Sequence, residues 1–331
     1  MPDIGKEWMK SKCIVVLLGG ESPEREVSLD SGSAIMRELQ RQGHQVMSLD
    51  PAEYASGSSL LQAIRECQPD VVFNGLHGGA GEDGTMQAML NYEGIPNTGS
   101  GFRASAVAMD KYLSKLIARQ AAVPVPRFLL LEKAEAESIM SMDKGFAAVS
   151  GMLKPESGKL VLKPVDSGSS MGVYMVESSK QWKSALHALL RITERIIIEE
   201  FISGRELTVA ILDDAALPVV EIIPKQGFYD YQNKYTKGCT EYVAPAPLTK
   251  KESNKIKGYA LDIWLLMQCA GYGRVDFRYN GKKFYFLEVN TLPGMTALSL
   301  TPMAAQAAGI GFGALLTKII EIAEASKQTK I

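Results

Sequence analysis

The sequence is poor in histidine: His44, His77 and His187 are the only three in 331 residues, too few and too scattered for a histidine-rich zinc centre. Cysteine is scarce as well. Cys13, Cys67, Cys239 and Cys269 lie far apart with no CxxC pair, the pattern of reduced thiols in a cytosolic protein rather than a disulfide framework. Neither sign of charge prevails. With 36 basic and 37 acidic residues and a formal net charge of -1, the composition indicates neither nucleic acid nor an anionic membrane as a partner. The longest apolar runs, "CIVVLL" and "RIIIEEF", are strand-length and far short of a membrane span. The opening "MPDIGKEWMKSK" lacks the apolar stretch of a signal peptide and is expected to be a loose leader before the first strand. Internal repeats and low-complexity tracts are missing too. What remains, 46% hydrophobic and 22% charged residues, is enough to build the cores of two or three domains.

The first third alternates strand and helix. "CIVVLLGG" reads as a buried strand, and "SLDSGSAIMRELQRQGH" as a helix with Ser and Asp as candidate caps and Gly43 as its stop. "QVMSLD", "SSLLQAIREC", "DVVFNGL" and "GTMQAMLNYEG" continue the alternation as strand, helix, strand, helix. A βαβαβ order implies an open parallel sheet with ligands at the carboxyl ends of its strands. From about residue 100 the pattern changes. "SAVAMDKYLSKLIARQA" is helical, "KLVLKPVDSGSSMGVYMV" is two strands around a Gly-Ser loop, and strands dominate to the end apart from the helix "KKESNKIKGYALDIWLLMQCA". This remainder is α+β and largely antiparallel.

Several stretches carry chemistry. In "LLGGESPEREVSLDSG" glycines at a strand end precede Glu24 and a helix start whose amides suit an anion; a plain βα turn explains the same residues. It is not GxGxxG, which disfavours a nicotinamide dehydrogenase. "GLHGGAGEDGTMQAML" sets His77, Glu82 and Asp83 among glycines, a ligand loop in which Asp83 or Thr85 also caps the next helix. In "LVLKPVDSGSSMGVYMV" Lys163 ends an apolar strand beside a loop of small residues that can close over phosphates, although a surface hairpin is the plainer account. Glu199, Glu200 and Glu206 flank a strand end, where such groups accept from an amino group or a ribose, or are simply solvated. "GYGRVDFRYNGKKFYFLEVN" reads as a hairpin around Asn280-Gly281. A two-residue loop would put Arg274 and Asp276 on the face opposite Glu288 and Asn290; a three-residue loop or a bulge unites them. The second arrangement is expected, because Asp276, Glu288 and Asn290 then form a set of hard oxygen donors for magnesium.

Taken in order, "GGESPEREVSLDSG", "HGGAGEDGTMQ", "TGSGFRASAVAMDK", "KPVDSGSSMG", "GRELTVAIL", "FYDYQNKY", "RVDF" and "LEVNTLPGMTALSL" resemble the D-alanine–D-alanine ligases of the ATP-grasp superfamily, over nearly the whole chain. The resemblance implies an α/β ATP-grasp fold of three domains: an N-terminal open parallel α/β sheet (1–99), and central (100–199) and C-terminal (200–331) α+β domains with antiparallel sheets. It implies ATP phosphates held by Lys111 and Lys163, with Lys234 and the loop of Ser169 and Ser170. Adenine would meet Glu199, Glu200 and the backbone near Phe201 and Ile202, and ribose would meet Glu206. Two magnesium ions, with manganese as a substitute, would sit on Asp276, Glu288 and Asn290. Arg274 and the amide of Gly294 would hold an oxyanion. Glu24, Ser169 and Tyr235 would form a hydrogen-bonded triad at the first D-alanine, lined by His77 and Glu82, and Ser299 and Leu300 would take the second substrate's carboxylate. Tyr235, in place of the histidine of depsipeptide-forming ligases, points to D-alanine as second substrate; D-serine or D-lactate is the alternative. A non-catalytic nucleotide-binding module would be expected to have lost Arg274, a metal ligand or a phosphate lysine. A homodimer in the cytoplasm, serving peptidoglycan precursor synthesis without nucleic acid or membrane as partner, is the family's habit.

Overall fold

The computed structural model describes residues 11–168, 171–225, 239–296 and 299–328. Three sheets organise them. The first is parallel, with β1 (Cys13–Leu17) between β2 (Gln45–Leu49) and β3 (Val71–Asn74). Its central strand is buried on both faces, as a strand covered by helices on either side must be. The crossovers are α1 (Arg25–Arg41) and α2 (Gly57–Glu66), and α3 (Thr85–Tyr92) follows β3. The βαβαβ order is therefore as expected, but α1 is not capped by the Ser or Asp of "SLDSG". It starts earlier, with Glu24 as its N-cap residue. Ser28 lies inside the helix and ties two strand ends together, accepting from Gly19 N (2.9 Å) and donating to Gly75 O (2.8 Å). Asp83 does serve the start of α3, accepting from Thr85 N at 2.8 Å.

Two short helices follow, α4 (Phe102–Met109) and α5 (Lys111–Gln120). The single helix suggested by "SAVAMDKYLSKLIARQA" breaks at Asp110, whose carboxylate caps α5 through Leu113 N (2.8 Å) and pairs with Arg195. The second sheet is antiparallel, in the order β4 (Phe128–Glu132), β7 (Arg195–Glu200), β5 (Leu160–Pro164), β6 (Tyr174–Val176). It is backed by α6 (Lys133–Ser141), α7 (Gly145–Leu153) and α8 (Ser179–Leu189), which close a core around Trp182. The third sheet is also antiparallel and runs β11 (Thr240–Val243), β10 (Val220–Pro224), β8 (Arg205–Leu212), β12 (Tyr272–Tyr279), β13 (Phe284–Asn290), with β9 (Ala215–Ala216) beside β8. α9 (Lys250–Leu266) covers it, opened by a Thr249/Glu252 capping box. The chain ends with α10 (Leu300–Ala307) and α11 (Phe312–Gln328). Among the described residues no single helix is long and apolar enough to cross a membrane.

Two cores join segments distant in sequence. α4 and α5 pack on the third sheet, with Ala104, Ala108 and Ala118 against Val209, Val275 and Phe286. α10 and α11 return to the first sheet, where Leu315, Leu316, Ile319 and Ile320 share a core with Ile14, Val16 and Phe73.

Candidate active site

The β12–β13 hairpin supplies the first group of side chains. Its turn spans four residues, Asn280 to Lys283, and Asn280 accepts from the backbone of Lys282 and Lys283 through its side chain. A four-residue turn alone gives the wrong parity. The register therefore shifts once, between Asp276 and Phe277: Phe277 pairs with Phe286 but Asp276 pairs with Glu288, and Leu287 is the extra residue. The bulge brings Asp276 opposite Glu288 and Arg274 opposite Asn290, so all four share one face. Asp276 is 7% exposed and held from both sides. Its Oδ1 accepts from Arg274 Nε (2.8 Å) and Thr208 Oγ1 (2.6 Å), and its Oδ2 from Arg274 Nη2 and Asn290 Nδ2, both at 3.0 Å. The forked contact fixes the plane of the Arg274 guanidinium.

Lys111 and Lys163 line a cleft together with this hairpin, with Glu199, Phe201, Glu206, Asp276 and Glu288 among the other lining residues, and Lys115 lies buried beside Glu199. Lys111, buried at the start of α5, donates to Ser167 O and lies 3.7 Å from Glu288. Burial pushes its pKa down, against the pull of Glu288. Lys163 on β5 and Lys115 on α5 both reach Glu199 Oε1, at 3.1 and 3.0 Å. Burial alone would raise the Glu199 carboxyl; the two ammonium groups more than offset it and hold that carboxyl below the ordinary range. Burial lowers Lys115 to about 8. Glu200 lines the same cleft, its carboxylate engaged by Arg127 through the backbone N–H (2.9 Å) and the guanidinium. At residues 201–204, Phe201 N donates to Lys159 O (3.0 Å) and Ser157 donates to Phe201 O (3.0 Å), while Arg278 donates to Ile202 O (3.1 Å) and Gly204 O (2.9 Å). Arg278 also pairs with Glu206 at 3.1 Å and lies over the Phe201 ring.

The two loops of the parallel sheet converge on the same region. The Glu24 carboxylate is so close to residues 78 and 168 that a Cβ at Gly78 would meet its Oε2 at 2.5 Å and one at Gly168 at 2.8 Å; glycine at both lets the "HGG" loop and the segment 166–168 approach it. Glu82 accepts from Gly78 N (3.1 Å); burial raises its carboxyl, against the Gly78 amide and the charge of Arg274. His77 is buried between Leu292 O (2.9 Å from Nδ1) and Ser31 Oγ (3.0 Å from Nε2). A carbonyl can only accept, so Nδ1 carries the proton and Nε2 accepts from Ser31, whose oxygen in turn accepts from Met295 N (3.3 Å). Burial depresses the His77 pKa to about 4, so the ring is neutral.

The chain is similar to known proteins both in sequence and in fold. The family described as "D-ala D-ala ligase C-terminus" matches residues 117–321. Two curated D-alanine–D-alanine ligases, from Aquifex aeolicus and Syntrophotalea carbinolica, are 43% and 38% identical, over 93% and 95% of this chain and 99% and 97% of their own. The chain belongs to the D-alanine–D-alanine ligase family. Among solved structures, a D-alanine–D-alanine ligase from Bacillus anthracis superposes with TM-score 0.82 at 31% identity, covering 96% of this chain and 99% of that one. A D-Ala:D-Ser ligase from Enterococcus faecalis gives TM-score 0.77 at 27% identity, covering 95% of this chain and all of that one. The ATP-grasp fold follows from these neighbours together with the parallel and antiparallel sheets.

In this member of the ligase family, Gly294 and Ser299 adjoin, a Cβ at Gly294 meeting Ser299 Oγ at 2.9 Å. Ser299 accepts from Thr296 N (3.0 Å) and precedes α10, while the Leu300 side chain is buried in the core, so only its backbone can reach a ligand. Ser169, Ser170, Lys234 and Tyr235 lie outside the described residues. Four residues join the site that sequence motifs did not single out: Ser31, Lys115, Thr208 and Arg278. Lys115 had a detectable signal, four residues after Lys111 and thus on the same helix face. Among the described residues no cluster of three or more His, Cys, Asp or Glu side chains is placed to hold a metal. The site offers two carboxylates and an amide, a hard-oxygen set that fits magnesium when phosphate oxygens complete its shell.

Proposed function

We propose that this chain joins two D-alanine molecules to D-alanyl-D-alanine at the expense of ATP, through a D-alanyl phosphate. The observation that carries the reading is the single cleft lined by Lys111, Lys163, Asp276 and Glu288, next to the Glu24 loop. It is supported by the names of the curated relatives and by a Bacillus anthracis structure, 30% identical, described as complexed with ATP. The three units 1–99, 100–199 and 200–331 would each bring part of the site.

Glu24 takes the ammonium group of the first D-alanine, with His77 and Glu82 behind it. ATP lies in the cleft with its ribose on Glu206, its adenine against Glu199, Glu200, the Phe201 ring and the Ile202 main chain, and its phosphates on Lys111 and Lys163, joined by Lys234 and the loop of Ser169 and Ser170. The substrate carboxylate oxygen attacks the terminal phosphorus, and the bond to ADP breaks. The lysine cations offset repulsion between the two anions. Asp276, Glu288 and Asn290 would hold two magnesium ions, or manganese, which spread phosphate charge; Asp276 would exchange one of its hydrogen bonds for the metal. The second D-alanine places its carboxylate on Ser299 and the Leu300 amide at the start of α10, where the helix dipole favours an anion. Its free amine attacks the acyl carbon, Arg274 and the Gly294 amide hold the resulting oxyanion, and phosphate leaves. Tyr235, linked through Ser169 to Glu24, selects an amine over a hydroxyl nucleophile. The product serves peptidoglycan synthesis, and through it cell shape, in the cytoplasm, and the enzyme works as a homodimer.

The test is ADP release from ATP and magnesium with D-alanine, alone or with D-serine or D-lactate, and product identification by mass. D-alanyl-D-alanine as the main product is expected. A mixed product would transfer the assignment to the D-serine or D-lactate ligases, and no ADP release from folded, ATP-binding protein would remove the ligase reading.

A further inference from the structure

Lys115 has no place in the chemistry just described, yet its side chain is completely buried behind the cleft, against Glu199 and the β13 backbone. Its ammonium meets three acceptors: Glu199 Oε1 at 3.0 Å, Leu287 O at 3.1 Å and Phe286 O at 3.4 Å. Leu287 is the bulge residue of β13, without a partner in the ladder, and Phe286, opposite Phe277, is the residue just before it. A bulge leaves backbone groups out of the regular ladder, and a buried orphan carbonyl is costly unless something donates to it. The alternative open to the strand is a slip by one residue. Leu287 would then stand opposite Asp276, and Glu288 would turn to the other face of the sheet.

We propose that Lys115 is a positioning residue for the metal-binding hairpin: by donating to the Leu287 and Phe286 carbonyls it holds the register that turns Glu288 and Asn290 toward Asp276. Through Glu199 the same ammonium shares a counter-ion with Lys163, so the bulge and a phosphate lysine are fixed by one buried group. A counter-ion for Glu199 alone would not need to lie within hydrogen-bond distance of the carbonyl of the one unpaired residue of the hairpin. The inference rests on the reading of Asp276, Glu288 and Asn290 as metal ligands, and its test separates the two.

The measurement is manganese binding, followed by electron paramagnetic resonance, to enzyme saturated with a non-hydrolysable ATP analogue. Lys115→Met leaves Glu199 buried with one partner fewer and can fail to fold. The decisive pair is therefore E199Q against K115M/E199Q, in which the carboxylate is already neutral. The double variant is expected to bind manganese at least tenfold more weakly than E199Q, with amides of residues 284–290 exchanging hydrogen at least tenfold faster while those of the parallel sheet are unchanged. Equal manganese affinity in the two variants, or exchange that rises equally in all three sheets, would overturn the proposal and leave Lys115 a counter-ion or a general stabiliser. Wild-type enzyme that binds the analogue but no manganese would instead overturn the metal reading itself.

Discussion

At Asp276 one carboxylate serves two arginine nitrogens, a threonine hydroxyl and an asparagine amide, all within 3.0 Å. Removing it therefore does more than delete a proposed metal ligand, because Arg274 loses its fork in a site where both are about nine-tenths buried. Asp276→Ala is expected to lose activity and to destabilise the protein by about 3–5 kcal/mol, the range for breaking one side of a buried ion pair. Denaturant unfolding checks this. Glu288 is a different case. It is half-buried and lies 3.7 Å from Lys111. Glu288→Gln keeps the size of the side chain and leaves the Asp276–Arg274 fork in place, so it is expected to cost less stability than Asp276→Ala, about 1 kcal/mol, the centre of the range for point substitutions. It should lower kcat roughly 100-fold or more, the scale for losing one aligned electrostatic contact in a transition state. Equal stability losses in the two variants would mean that the assigned division of labour at this face is mistaken.

At the scale of elements, the turn 292–295 that carries Gly294 is anchored at both ends from the parallel sheet. His77 donates to Leu292 O, and Ser31, bonded to His77, accepts from Met295 N. The anchor needs neutral His77, since protonated Nε2 could no longer accept from Ser31. The folded pKa is about 4 and the unfolded value 6.5. Between those values the unfolded chain binds a proton that the folded chain refuses, so stability falls as pH falls through this window and is complete above pH 6.5. The contribution is about 3 kcal/mol by that linkage. Wild type is expected to lose that much more stability than His77→Asn between pH 6.5 and 4 in parallel urea titrations. Parallel curves would show that His77 titrates normally. None of this anchor could be read in the sequence. Apolar runs and glycines announced the strands and loops, and strand parity left a three-residue loop or a bulge as the ways to unite the hairpin's polar residues, because those signals are local; the structure uses a four-residue turn with a bulge. Ser31 meets Met295 across 264 positions, and Lys115 and Arg278 find their partners only once the helix and sheets have packed. The start of α1 was misplaced for the opposite reason. Ser28 has the chemistry of a cap but is used inside the helix as a tie between two loops.

For the whole molecule, the site is assembled by cores that cross the chain order. Lys111 and Lys115 reach the hairpin because α5 packs on the third sheet although its sequence precedes the second. The last helix, α11, closes the core of the first sheet instead of extending the third. Leu315, Leu316, Ile319 and Ile320 on α11 are each at most 1% exposed. Burying each contributes about 1.5–3 kcal/mol, or about 6–12 kcal/mol together. That is comparable to the whole stability of a typical domain, about 5–15 kcal/mol. A chain ending at residue 311 is therefore expected to lose the cooperative unfolding of its first sheet, and with it the Glu24 and His77 loops, even though every residue of the ATP cleft is still present. Far-UV circular dichroism melting together with binding of the ATP analogue would read both halves of this outcome. A truncated chain that still melts in one sharp transition at the full-length temperature would show that the first sheet does not depend on α11, and that the two ends of the sequence are joined by contact without being joined in stability.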